Sequence, residues 1–151
     1  MKTVLNREKF LAQLESLSGG LAPREIVEQS SCFVFKDGRV ITYNDEVACS
    51  LETNLKWEGA IQADPLLNLL RKLREKELSF EPRKEELRVK GKGRGAGVRL
   101  EADILLPVDT IDVPKKRDWK ALPDEFADAV QIVQQVASKS SDRFALTCVH
   151  I

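Results

Sequence analysis

The chain has 151 residues, of which 24 are Lys or Arg and 24 are Asp or Glu, so its formal net charge at pH 7 is zero. This length allows one complete domain, or one domain and part of a second. No segment approaches the roughly 18 consecutive apolar residues of a membrane-spanning helix, and the first residues do not resemble a signal peptide. We therefore expect a cytoplasmic protein whose three widely separated cysteines stay reduced.

The first predicted element is an amphipathic helix. Asn6 is a residue type that caps helix N-termini, and Gly19-Gly20 are typical of a helix end. Between them, apolar side chains recur at helical spacing. These apolar residues are Phe10, Leu11, Leu14 and Leu17.

Alternating apolar and polar residues then predict strands. The clearest hairpin signal is Asp37-Gly38, which separates the predicted strands 31–35 and 39–43. The other predicted strands are 46–52, 57–63, 77–81, 86–90, 97–105 and 143–151.

Two further amphipathic helices are predicted. The second has Asp64 as N-cap and Pro65 at the first helical position, where proline is favoured. The third begins near Leu122 and has an acidic first turn. The apolar face of the second helix consists of Leu66, Leu69, Leu70 and Leu73.

The order of elements is helix then strands, twice, followed by a third helix and one strand. This repeat predicts an α+β fold in which helix-plus-antiparallel-strand units place their helices on one face of the sheets. We expect residues 1–113 to form a complete first domain of two repeats, about 1–55 and 56–113. Residues 114–151 would then begin a second, truncated domain.

Charge is segregated along the chain despite the balanced total. Residues 83–99 contain seven basic and two acidic side chains, whereas residues 101–128 contain eight acidic and four basic ones. Cations at the end of one helix can follow a phosphate backbone without reading bases, although an ordinary solvated surface is the alternative. The candidates near the second helix are Arg71, Lys72, Arg74 and Lys76.

The sequence offers little for catalysis or for nucleotide binding. The glycine-rich segment 90–97 precedes a strand-like pattern, whereas a phosphate-binding loop must open a helix. We therefore predict a long, flexible, basic hairpin tip. His150 is the only histidine, and no cluster has metal-ligand spacing. We expect no enzyme, no metal and no cofactor.

Five segments, through their order and spacing, are similar to a known family. They are 6–14, 33–38, 42–48, 59–64 and 122–126. The chain resembles the N-terminal part of the bacterial DNA sliding clamp, the beta subunit of DNA polymerase III, and especially its phage-like versions.

The resemblance implies the DNA-clamp (processivity) fold, with helices lining a central hole. It implies a non-catalytic processivity factor for DNA replication, whose homodimeric ring encircles duplex DNA and binds polymerase and clamp loader through C-terminal parts absent here. Arg24 and Arg71 match basic positions that the family turns toward DNA, and Lys72 and Lys9 are further candidates by helical face.

Two other function classes remain open. One is a free-standing basic α+β module that binds nucleic acid or protein without forming a ring. In that case the basic residues could cluster elsewhere, for instance on the hairpin tip around Lys92. A cytosolic enzyme is the third class, and turnover dependent on His150 or a cysteine would support it.

Overall fold

The computed structural model describes residues 2–25, 27–110, 120–137 and 148–149. The chain divides into two compact units, Met1–Ile111 and Asp112–Ile151. Residues 111–119 lie outside the described part, so the predicted domain boundary near residue 113 stays a prediction. The predicted last strand, 143–151, also lies outside it except for residues 148 and 149, which are not in a strand.

The first unit contains eight strands and two α-helices among its described residues. The strands are β1 (Thr3–Asn6), β2 (Cys32–Lys36), β3 (Arg39–Tyr43), β4 (Ala48–Glu52), β5 (Gly59–Gln62), β6 (Glu77–Arg83), β7 (Glu86–Lys90) and β8 (Gly95–Arg99). The helices are α1 (Arg7–Ser16) and α2 (Ala63–Lys72), and short 3-10 turns occupy Ser18–Gly20 and Val108–Thr110. Strand β1 is an element that the sequence pattern did not predict.

The two repeats exchange their first strands. The first sheet has the order β1-β6-β7-β8 and the second sheet has the order β4-β3-β2-β5, with antiparallel pairing throughout. Strand β1 of the first repeat thus joins three strands of the second repeat, and β5 of the second repeat joins three strands of the first. The predicted α+β class with repeated helix-plus-strand units is confirmed.

Both helices of this unit pack on the same apolar core, which also receives side chains from both sheets. Phe10 of α1 meets Phe80 of β6 edge-on, with ring centroids 5.1 Å apart. Leu14 of α1 and Leu66 and Leu70 of α2 are fully buried. One core therefore holds the helix pair against the sheets, as the amphipathic pattern predicts.

Strand β2 is buried on both of its faces. Phe33 and Phe35 belong to the main core, whereas Cys32 and Val34 belong to a second cluster on the opposite face. Residues 104–108 cover that opposite face, and we call this segment the strap. Burial on both faces explains the unbroken apolar run of this strand.

The buried Gln29 side chain fastens the strap to the loop that follows α1. Its Nε2 donates to the Asp103 carbonyl (2.8 Å), and its Oε1 accepts from the backbone N–H groups of Leu105 (2.8 Å) and Leu106 (3.3 Å). Gln29 is only 2% exposed and has a positive φ of 62°. Its side chain satisfies backbone groups that no strand ladder reaches.

The start of α1 is as predicted, because the Asn6 Oδ1 accepts from the Lys9 N–H (3.0 Å). The helix ends at Ser16, before the predicted Gly19-Gly20, which belong to the following 3-10 turn. A side chain at Gly20 would collide with the Thr42 hydroxyl on β3. The glycine is thus explained by a close approach of two segments.

The predicted Asp64 N-cap is wrong. Helix α2 begins at Ala63, and the capping position, Gln62, makes no side-chain capping bond. The Ala63 N–H instead donates to the Ser31 carbonyl (3.1 Å), so the residue before β2 supplies the acceptor that a cap would provide. Asp64 lies in the first turn, where its charge is favourable to the helix dipole.

Of the two predicted glycine-containing hairpin turns, the structure confirms the first and shows a shorter turn for the second. Asp37 and Gly38, with φ of 49° and 70°, form the predicted tight turn between β2 and β3. The predicted long tip over 90–97 is wrong, because β8 begins at Gly95 and only residues 91–94 connect it to β7. Gly97 stays in the ladder opposite Arg88, and the Glu86 side chain fills the space that a side chain there would need.

The second unit contains helix α3 (Phe126–Val133), followed by a 3-10 turn over Gln134–Val136. The predicted start near Leu122 is wrong, because the Pro123 carbonyl accepts from the Phe126 N–H in a turn that precedes the helix. No residue of α3 is buried. Within the described part of the chain, no helix has the length and apolar character needed to cross a membrane.

We predict that Gln29→Ala destabilises the protein by about 2 kcal/mol, because it leaves buried backbone donors of the strap without acceptors. Urea denaturation followed by circular dichroism measures the change. Gln13→Ala on the exposed side of α1 is the matched control and should change the free energy of unfolding little. Equal effects of the two substitutions would contradict the role of Gln29.

We also predict that Cys32 resists alkylation in the native protein. Burial raises the pKa of the Cys32 thiol to about 12, with Glu101 and Glu25 adding to the effect. The reactive thiolate is therefore scarce at pH 8. Mass spectrometry after iodoacetamide treatment should find the half-buried Cys49 modified before Cys32, and both modified in urea. Rapid native modification of Cys32 would contradict its burial.

Candidate nucleic-acid interface

The Arg7 side chain joins the start of α1 to the end of α2. Its Nε donates to the Glu75 carbonyl (3.2 Å) and its Nη1 to the Leu70 carbonyl (3.5 Å). Only 15% of this side chain is exposed. A positive side chain in the first turn of a helix interacts unfavourably with the helix dipole. An arginine at this position therefore indicates that its guanidinium bonds to acceptors outside its own helix. Sequence reasoning did not single out Arg7 for this role.

Arg71 projects from α2 and forms an ion pair with Glu15 of α1. Its Nη2 lies 2.9 Å and its Nε 3.2 Å from the same Glu15 oxygen, Oε1. The Arg71 and Glu15 side chains are 52% and 44% exposed, so both remain accessible to solvent. The candidate DNA-binding residue Arg71 therefore lies on the surface of the helix pair, with a carboxylate beside it.

Arg24 is exposed in the loop between α1 and β2. Two bonds close this loop: the Ala22 N–H donates to the Ser30 carbonyl (2.9 Å), and the Gln29 N–H donates to the Glu25 carboxylate. Among the described residues, Arg24 takes part in no ion pair. Arg24 is thus an exposed cation on a loop that Gln29 fixes to the strap.

The exposed side chains of Lys9 and Lys72 belong to α1 and to the last position of α2, respectively. Where the chain is described, neither takes part in an ion pair. Arg7 and Arg71 are paired with Glu8 and Glu15, but Lys9 and Lys72 give the helices cations that can meet an anionic ligand.

A second group of cations forms where α2 ends. Lys72, Arg74 and Arg94 line a shallow pocket of about 330 Å³ together with Glu75, and we call these three cations the tip cluster. The Glu75 carboxyl lies against Gly91, which brings the β7–β8 turn to the end of α2. The sequence predicted the charge of both segments but had no signal for their contact.

Lys76 and Lys92 are exposed close to the tip cluster in sequence. The Lys76 carbonyl accepts from the Arg7 N–H (2.8 Å), which fixes the backbone where β6 begins. The basic candidates therefore fall into two sets, one on the helix pair and its loop, the other at the end of α2 and the hairpin turn, and Lys72 belongs to both.

In the described ranges, no group of three or more His, Cys, Asp or Glu side chains has the geometry to hold a metal ion. His150 lies outside these ranges. The candidate site consists of exposed cations on a rigid framework, an arrangement that suits a polyanionic partner.

The chain is similar to known proteins in structure and not in sequence. No family model matches the sequence, and no curated protein matches it. A putative DNA polymerase III beta subunit from Eubacterium rectale matches 97% of this chain with a TM-score of 0.76 at 11% identity. The Helicobacter pylori beta clamp bound to a DNA ligase peptide matches 95% with a TM-score of 0.64 at 13% identity.

The DNA polymerase III beta subunit of Thermotoga maritima matches 76% of this chain, with a TM-score of 0.57 at 14% identity. The chain covers 42% of the Eubacterium and Helicobacter chains and 32% of the Thermotoga chain, which is less than half of each. The strand-exchanged repeats and the helix pair packed on one core thus have the fold of part of a DNA sliding clamp.

Proposed function

We propose that this chain is the N-terminal part of a DNA sliding clamp, a non-catalytic processivity factor that holds a DNA polymerase on duplex DNA. The observation that carries the proposal is the strand exchange between repeats, which sets α1 and α2 side by side on one core. The clamp fold and the exposed cations on these helices support it.

The geometry suits binding to duplex DNA without recognition of its base sequence. Arg71, Lys72 and Lys9 belong to the helices and Arg24 to the adjoining loop, and all four side chains are exposed. Long cations of this kind contact phosphates in any sequence, so the DNA can move past them. The rigidity comes from the core and from Arg7, which ties the two helices together.

The proposal extends to an assembly. In a complete clamp, two chains of three domains would close a homodimeric ring around DNA in the cytoplasm. Polymerase and clamp loader would bind through the later domains. The Helicobacter structure, a beta clamp bound to a DNA ligase peptide, provides a precedent for a peptide partner.

The tip cluster favours a second candidate function, a free-standing basic module without a ring. Its three cations line one pocket and form no ion pairs within the described part of the chain. Such a module would bind an anionic partner at the hairpin turn, away from the Arg71–Glu15 pair. The two functions share Lys72 and otherwise assign DNA contact to different cations, with Arg24 and Arg71 on one side and Arg94 on the other.

We predict that Arg24→Gln/Arg71→Gln weakens binding to a short fluorescent duplex more than Lys92→Gln/Arg94→Gln does. Each double variant removes two exposed positive charges, so the pair is matched in net charge. For every lost phosphate contact, the slope of log affinity against log salt should fall by about 0.9. Fluorescence anisotropy over a salt series measures both effects.

A larger loss with Lys92→Gln/Arg94→Gln would favour the free-standing module. Equal losses would show that binding follows net charge alone and would contradict both assignments. Urea denaturation of each variant controls for folding, and little change is expected because all four side chains are exposed.

A further inference from the structure

We propose that Glu15 weakens the grip of Arg71 on DNA by competing with phosphate for the same guanidinium edge. The inference rests on the proposed function, because it assumes that the helix pair faces the duplex. In this inference, Glu15 of α1 determines how tightly Arg71 of α2 binds the phosphate backbone of DNA.

The contact geometry shows which donors are occupied. Nε and Nη2 of Arg71 both donate to Glu15 Oε1, at 3.2 and 2.9 Å. These two N–H groups form one edge of the planar guanidinium, and such an edge can bind two oxygens of a phosphate side by side. Glu15 therefore occupies the edge of the Arg71 guanidinium to which a phosphate could bind.

Exposure decides whether phosphate can displace the carboxylate. Both side chains are about half exposed, and ion pairs in that environment are weak. A DNA phosphate can therefore take over the Arg71 donors, but the Glu15 charge then remains nearby and repels it. The energetic result is a contact that forms and breaks readily.

Glu15 differs in this respect from other acidic residues of the helix pair. Glu8 accepts from Nη2 of Arg7, whose Nε and Nη1 donate to backbone carbonyls. Asp64 lies in the first turn of α2, where it complements the helix dipole. Glu15 is paired across the two helices to a cation that is itself half exposed. The negative charge of Glu15 therefore opposes the proposed contact between Arg71 and a DNA phosphate.

The test compares four variants in the full 151-residue chain: Glu15→Gln, Arg71→Gln, the double variant Glu15→Gln/Arg71→Gln, and Glu52→Gln. Glu52 is the matched control, because it is an exposed acid paired with an arginine, Arg39, on the second sheet. Affinity for a fluorescent duplex is measured by anisotropy over a salt series that begins at low salt.

We expect Glu15→Gln to bind DNA several-fold more tightly than the unsubstituted chain at low salt and to steepen the salt slope by up to about 0.9. Most of this gain should disappear in the double variant, since it depends on Arg71. Glu52→Gln should leave the affinity nearly unchanged.

Two results would overturn the inference while the proposed function stands. In one, Arg71→Gln weakens binding but Glu15→Gln does not tighten it. In the other, Glu52→Gln gains as much as Glu15→Gln, so that only net charge matters. Absence of DNA binding by every variant at low salt would instead overturn the assignment of the helix pair to DNA contact, and the inference with it.

Discussion

The exchange of first strands between the two repeats is the constraint on which the rest of this structure depends. Each sheet takes three strands from one repeat and one from the other, so neither repeat has a complete sheet of its own. Each exchanged strand continues directly into its helix, β1 into α1 and β5 into α2. The exchange therefore places both helices on the shared core, and their surface charges follow from it.

The regular elements could be predicted because their signals are local. Apolar spacing located α1 and α2, and Asp37-Gly38 located the tight hairpin. The errors arose where a distant segment replaces a local signal. The Ser31 carbonyl takes the place of an N-cap for α2, and Glu86 fills the space over Gly97, so that a glycine-rich stretch continues as a strand.

The candidate site shows the same division between local and distant effects. The basic character of the second helix is visible in the sequence, and Arg71 is exposed as expected. The sequence could not show which residues lie next to each cation in the folded structure. Glu15 and Arg71 are 56 positions apart, and Arg94 lies near the end of α2, where Glu75 contacts Gly91. Such neighbours depend on the packing of whole repeats.

The pairing of β1 with β6 also has a consequence for how the chain folds. Thr3 is opposite Phe80, so the first strand has no ladder partner until the chain has been made as far as β6. Contacts between residues so far apart in sequence form slowly, because the intervening chain must be ordered first. During synthesis, Phe10 of α1 therefore lacks its packing partner Phe80 until β6 has been made. Apolar surface and an unpaired strand that are exposed during this interval favour aggregation.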